Sequence, residues 1–125
     1  MTREDVIALW RKEAKESLVA AEAVHAKGIY WLSLFHCHLA VEKALKALYV
    51  EKRDQHPPPT HELLELADGL EHPWEEGTIS LFEALADFAI ESRYHDEEWL
   101  AKQATEEHSR YWIDKVQSLL SSLIP

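Results

Sequence analysis

Over the first fifty residues the apolar side chains recur at three- and four-residue steps, and a single glycine interrupts them. Val6, Trp10, Ala14, Ser17, Ala21 and Val24 share one stripe from about Glu4 to Ala26. Trp31, Leu34, His38, Val41, Leu45 and Leu48 share another from about Tyr30 to Lys52. A 3.6-residue period over two such lengths specifies amphipathic helices, and a break as short as Gly28 and its neighbours makes them pack antiparallel. Ala40, Ala44 and Ala47 flank the second stripe, where small side chains let a neighbouring helix approach closely. Thr2 is placed to cap the first helix, and Glu4 and Asp5 suit the positive end of its dipole.

The second helix must stop before Pro57-Pro58-Pro59, which removes three backbone donors and imposes extended geometry. Thr60 is expected to cap a short third helix from His61 to about Leu70, with Leu63, Leu64, Leu66 and Ala67 buried. Gly69, Pro73 and Gly77 punctuate the chain after it. Thr78 is then expected to cap a fourth helix over about Ile79 to Ile90, apolar nearly all round and therefore central or shared with another subunit. A turn over residues 91–96 leads to a fifth helix from about Glu97 to Leu123, with Leu100, Ala104, His108, Tyr111, Trp112, Val116, Leu119 and Leu123 inward. The expected fold is all-α: an up-and-down antiparallel bundle of four long helices plus one short helix, forming one domain over residues 1–125.

Acidic residues outnumber basic ones by 23 to 13, and a net charge of −10 repels a nucleic-acid backbone. The densest basic group, Lys43, Lys46, Lys52 and Arg53, is interleaved with Glu42 and Glu51 and reads as a solvated helix face. The lone Cys37 cannot form an intrachain disulfide, which fits a reducing compartment. No apolar run approaches the roughly 20 residues of a membrane span, and the N-terminus lacks a signal-peptide layout. The expectation is a cytoplasmic protein with no membrane association.

Local motifs do not indicate catalysis, a cofactor or a metal. His36, Cys37 and His38 point about 100° apart on a helix and cannot converge on one ion. Cys37 reads as a small hydrophobe, and His38 as a hydrogen-bonding core residue. Glu42 and Lys46 have the spacing of a surface ion pair. His56, His61 and His72 fit no ligand pattern, and His61 can equally help cap its own helix. Arg93 falls at a helix junction, where it can hold a phosphate bidentately or anchor the turn through Asp96, Glu97 or a helix-end carbonyl.

Three segments resemble the HEPN family of helical nucleotide-binding domains. Residues 35–48 end in the run Ala40-Val41-Glu42-Lys43-Ala44-Leu45-Lys46-Ala47-Leu48, similar to that family's second-helix signature. Pro59-Thr60-His61-Glu62-Leu63 is similar to its P-T-H-x-L segment, and Ser92-Arg93-Tyr94 to its A-R-Y-P element. The resemblance implies an up-and-down bundle, a homodimer, and pairing with a small nucleotidyltransferase. In that pairing the helical chain helps bind a nucleotide or substrate, or is the toxin of a toxin–antitoxin pair. Toxin members cleave RNA with an Arg followed, after four to six residues, by a His; here the corresponding positions are Glu98, Trp99 and Leu100. His95 is too close and His108 too far. Metal-independent cleavage wants a group titrating near neutrality beside a cationic anchor, so the resemblance favours a non-catalytic domain binding a nucleotide or a partner. The ligand-binding candidates on or next to the three segments are Glu42, Lys43, His61, Arg93, Tyr94 and His95. The alternatives are a ribonuclease toxin with an atypical Arg/His site, and a purely structural dimerisation module.

Overall fold

The structure is a computed structural model that describes residues 1–94 and 96–125, with side chains described for all of these except 90–94. Four long helices, α1 (Arg3–Ala26), α2 (Tyr30–Arg53), α4 (Glu76–Tyr94) and α6 (Glu106–Leu123), are joined by two short ones, α3 (Leu63–Gly69) and α5 (Glu97–Gln103). Among the described residues there is no strand, and no helix is long and apolar enough to cross a membrane.

α1 and α2 form as their periodicity predicts. The Thr2 hydroxyl accepts from the Asp5 amide, and the Asp5 carboxylate accepts in return from the Thr2 amide, so a reciprocal cap starts α1. Gly28, at φ 79°, takes a left-handed conformation that costs glycine little and turns the chain back. Arg3 then reaches the carbonyl of Glu51 and the carboxylate of Asp54 at the far end of α2, which fixes the antiparallel pairing.

α2 is the central helix and packs against α1, α3, α4 and α6. Arg110 of α6 pairs with Glu22 near the end of α1, and His25 Nδ1 lies 2.8 Å from Ser109 Oγ, so α6 runs antiparallel to α1. At the far end of α2, Gly69 touches the Tyr49 ring so closely that a Cβ there would come within 3.2 Å of it. The core combines Leu34, Cys37, Val41 and Leu45 of α2 with Ala14 and Ala21 of α1, Leu63 and Leu66 of α3, Phe82 and Leu85 of α4, and Ile113 and Val116 of α6. Burial pushes the Cys37 thiol up to about 12; Glu22 adds to the shift and Arg110 opposes it.

Tertiary bonds redraw the later boundaries. Thr60 does not cap α3: its hydroxyl accepts from the Glu62 amide and donates to Glu65, and the helix starts at Leu63 with Glu62 as its N-cap. His61 is held by α2 through both its ring and its carbonyl, so it is not free to enter the helix. Leu64 is exposed rather than buried.

α4 begins at Glu76, two residues before Thr78, because Trp74 locks the preceding loop. Its indole donates to the Ala67 carbonyl and packs edge-on against Phe82. Thr78 and Gly77 lie inside α4, and the helix runs on to Tyr94, so Arg93 and Tyr94 are helical positions rather than part of a turn. His95 lies outside the described residues.

The expected fifth helix is two helices. Thr105 caps α6 by accepting from the His108 amide, while Ala104 leaves helical geometry at ψ 61°. Tyr111 faces out, and Ile113 and Leu120 are buried instead.

Candidate functional site

Along α2, His38, Glu42 and Lys46 stand at successive four-residue steps and therefore form one row. All three are buried, at 1%, 3% and 8% exposure. Lys46 Nζ donates to Glu42 Oε2 at 3.2 Å, and the Lys46 ammonium also lies 5.3 Å from the centre of the Trp10 ring. The surface ion pair expected from the spacing is thus an internal one, and Lys46 does not belong to a solvated basic face. Desolvating two charges is tolerated only when both find further partners. Here Glu42 has one across the chain: its Oε1 lies 3.0 Å from His61 Nδ1 and 3.9 Å from His38 Nδ1. The His38 ring in turn donates from Nε2 to the His61 carbonyl at 3.1 Å, the core hydrogen bond expected of it.

The two signature segments therefore meet. Glu42 of the second helix and His61 of the proline-led loop, separated by 19 residues, are one hydrogen-bonded pair. Glu42 is sealed from solvent, with 4% of its side chain exposed, whereas the His61 side chain is 70% exposed. The loop and α4 together enclose an open cleft of about 470 Å³ lined by Pro59, Thr60, His61, Glu62, Ala86, Asp87 and Ala89. Arg93 follows Ala89 by four residues in the same helix.

The other candidates separate from this pair. Lys43 turns toward α1, with its ammonium 3.3 Å from Glu13 and 5.2 Å from the centre of the Trp10 ring. The side chains of Arg93 and Tyr94, and all of His95, lie outside what the structure describes. Sequence reasoning missed Asp87 as a cleft residue and Lys46 as a buried cation. The available signal is the row itself: the apolar stripe turns His38 inward, and Glu42 and Lys46 follow it at four-residue steps.

His108, the more distant substitute for a missing catalytic histidine, has both ring nitrogens engaged. Nδ1 donates to the Gln103 carbonyl at 2.7 Å, leaving Nε2 to accept from the Trp112 indole at 3.0 Å. Its ring also meets Phe88 and Trp112 edge-on. This histidine holds the α5–α6 elbow. Among the described residues no three His, Cys, Asp or Glu side chains are grouped to hold a metal ion.

No curated protein matches the chain. Among solved structures it is similar to the crystal structure of TT1696 from Thermus thermophilus, with a TM-score of 0.82 and 23% sequence identity. That match covers 98% of this chain and 97% of the other, and establishes a shared fold. The family profile described as HEPN domain matches residues 7–123. A match over nearly all of the 125 residues places this chain in the HEPN domain family.

Proposed function

We propose that this chain is a non-catalytic HEPN domain that binds a nucleotide or a partner protein, acting as a homodimer alongside a small nucleotidyltransferase. The observation that carries the reading is the Glu42–His61 bond. A helix that could have filled this row with apolar side chains instead uses buried charges to hold an exposed histidine loop beside a cleft. Replacing a buried ion pair with apolar residues is often neutral or stabilising, so such a pair needs a reason other than stability. Presenting a binding loop is that reason here. Arg93, one helical turn beyond the cleft residue Ala89, is the phosphate contact in this proposal.

A thermal-shift titration with magnesium ATP tests the nucleotide part. A ligand that binds only the folded chain raises Tm by mass action. Wild type should shift with ATP, and Arg93→Ala should shift less without a change in ligand-free Tm. An equal shift for Arg93→Ala removes Arg93 from the proposal, and no shift in wild type removes the nucleotide. Affinity purification of the tagged chain from its host tests the partner part, which stands if a small nucleotidyltransferase co-purifies and falls if the chain comes alone.

The ribonuclease alternative has less support, because the two ring nitrogens of His108 are already committed within the fold. Growth arrest on expression, relieved by Arg93→Ala, would reverse that preference.

A further inference from the structure

A carboxylate can only accept hydrogen bonds, so His61 Nδ1 must be the donor in its 3.0 Å contact with Glu42 Oε1. A neutral imidazole donating from Nδ1 carries no proton on Nε2, which is left as a lone-pair acceptor. The ring cannot turn over without giving up its bond to Glu42. Its backbone is held as well, since the His61 carbonyl accepts a hydrogen bond from His38 Nε2 at 3.1 Å. Lys46, on the other oxygen of Glu42, completes a buried support whose outermost member is the 70% exposed His61 ring. The same logic of a buried carboxylate fixing tautomer and orientation operates behind metal-ligating and catalytic histidines.

The surroundings of His61 narrow what could meet Nε2. Of the other polar side chains lining the cleft, Glu62 and Asp87 carry carboxylates, and the Thr60 hydroxyl already donates to Glu65 at 3.1 Å. Ala86 and Ala89 supply only methyl groups from α4, so a flat or ring-shaped group can lie against the helix. Acceptors of this kind repel phosphate and carboxylate. They suit a group that brings several O–H or N–H donors.

We propose that this cleft is a subsite for the hydroxyl-rich end of a ligand, with His61 Nε2 as the proton-accepting contact and Glu42 as the residue that positions it. This rests on the nucleotide-binding reading and deepens it: the ribose diol occupies the cleft, and the phosphates lie outside it.

The test uses the full chain, uniformly labelled with nitrogen-15, titrated with adenosine, 2′,3′-dideoxyadenosine and ATP. Long-range proton–nitrogen spectra should identify His61 as the Nδ1–H tautomer. Adenosine should move its Nε2 resonance and bind roughly tenfold or more tightly than the dideoxy compound, the scale of a lost hydrogen bond to a polar site. His61→Asn retains an N–H aimed at Glu42 but has no counterpart of Nε2. It should keep the wild-type Tm and bind both nucleosides equally weakly. An Nε2–H tautomer, or equal affinity for the two nucleosides while ATP still binds, overturns the subsite and leaves the nucleotide reading standing. If neither adenosine nor ATP binds, the subsite and the nucleotide part of the proposed function fall together.

Discussion

The two buried sides of α2 solve opposite problems. Ser33, Cys37, Ala40 and Ala44 lie on one side, all at 1% exposure or less, and Ser33 donates to the Ala21 carbonyl of α1 at 3.0 Å. Small side chains there bring two helix backbones together. Roughly half a turn away, His38, Glu42 and Lys46 are almost as deeply buried yet polar: Lys46 donates to Glu42, and His38 donates to the His61 carbonyl. The first side contributes packing. The second gives up some of that contribution to hold a loop, so two equally buried sides of one helix need not do the same work.

The largest expected effect comes from breaking the polar side. Glu42→Ala leaves Lys46 with an unanswered charge in the interior and should cost about 3–5 kcal/mol, read as a lower urea midpoint. Pairing Glu42→Leu with Lys46→Met removes both charges and should recover most of that loss, while the His61 loop loses its anchor. A Glu42→Ala cost near the median for exposed pairs, about 0–1 kcal/mol, would mean the row behaves as a surface ion pair and would erase the contrast between the two sides.

The packed side should respond to size instead. Ala21→Leu forces extra volume between α1 and α2 and should cost about 1–3 kcal/mol, with the His61 loop unaffected. Cys37 reports on the same side. With its thiol pushed up to about 12 and no side-chain exposure, it should resist iodoacetamide in the native protein and react once urea unfolds the chain. Labelling that is fast in the native state would show this side opening readily, contrary to its packing.

The packed side is largely legible in the sequence, and the polar side is not. Period alone places α1 and α2 within a residue or two, and Thr2 is recognisable as a cap because Asp5 follows at the reciprocal position. Exact facing is harder, since rotating a stripe by one residue exchanges Tyr111 for Ile113. Three of the misplaced boundaries sit where a side chain or loop bonds outside the helical pattern: Trp74 on Ala67, His61 on α2, and His108 on Gln103. The break at Thr105 does leave a trace, a cap residue followed by Glu106 and Glu107. Ion-pair spacing assigns Glu42 and Lys46 to the surface, because charged pairs four apart on a helix usually sit there, and only their row with the inward-facing His38 points the other way. Glu42 is met by the proline-led loop across 19 residues and Lys46 lies over the Trp10 ring of α1, contacts that local periodicity does not encode.

The smallest effect concerns His36, which stands on α2 between the two sides and is only partly buried. Desolvation lowers its pKa below 6.5 in the folded chain. Above 6.5 the ring is neutral both folded and unfolded, and the native state carries no penalty. As pH falls through 6.5 the unfolded chain takes up the proton first, so the native state loses stability until its own, lower pKa is passed. Comparing urea midpoints at about pH 7.5 and about pH 5 for wild type and His36→Gln isolates this contribution from the other titrating groups. The variant should lose less stability on acidification than wild type. Equal losses would mean that His36 is solvated as well in the folded chain as in the unfolded one, and that the burial of α2 stops at its packed and polar sides.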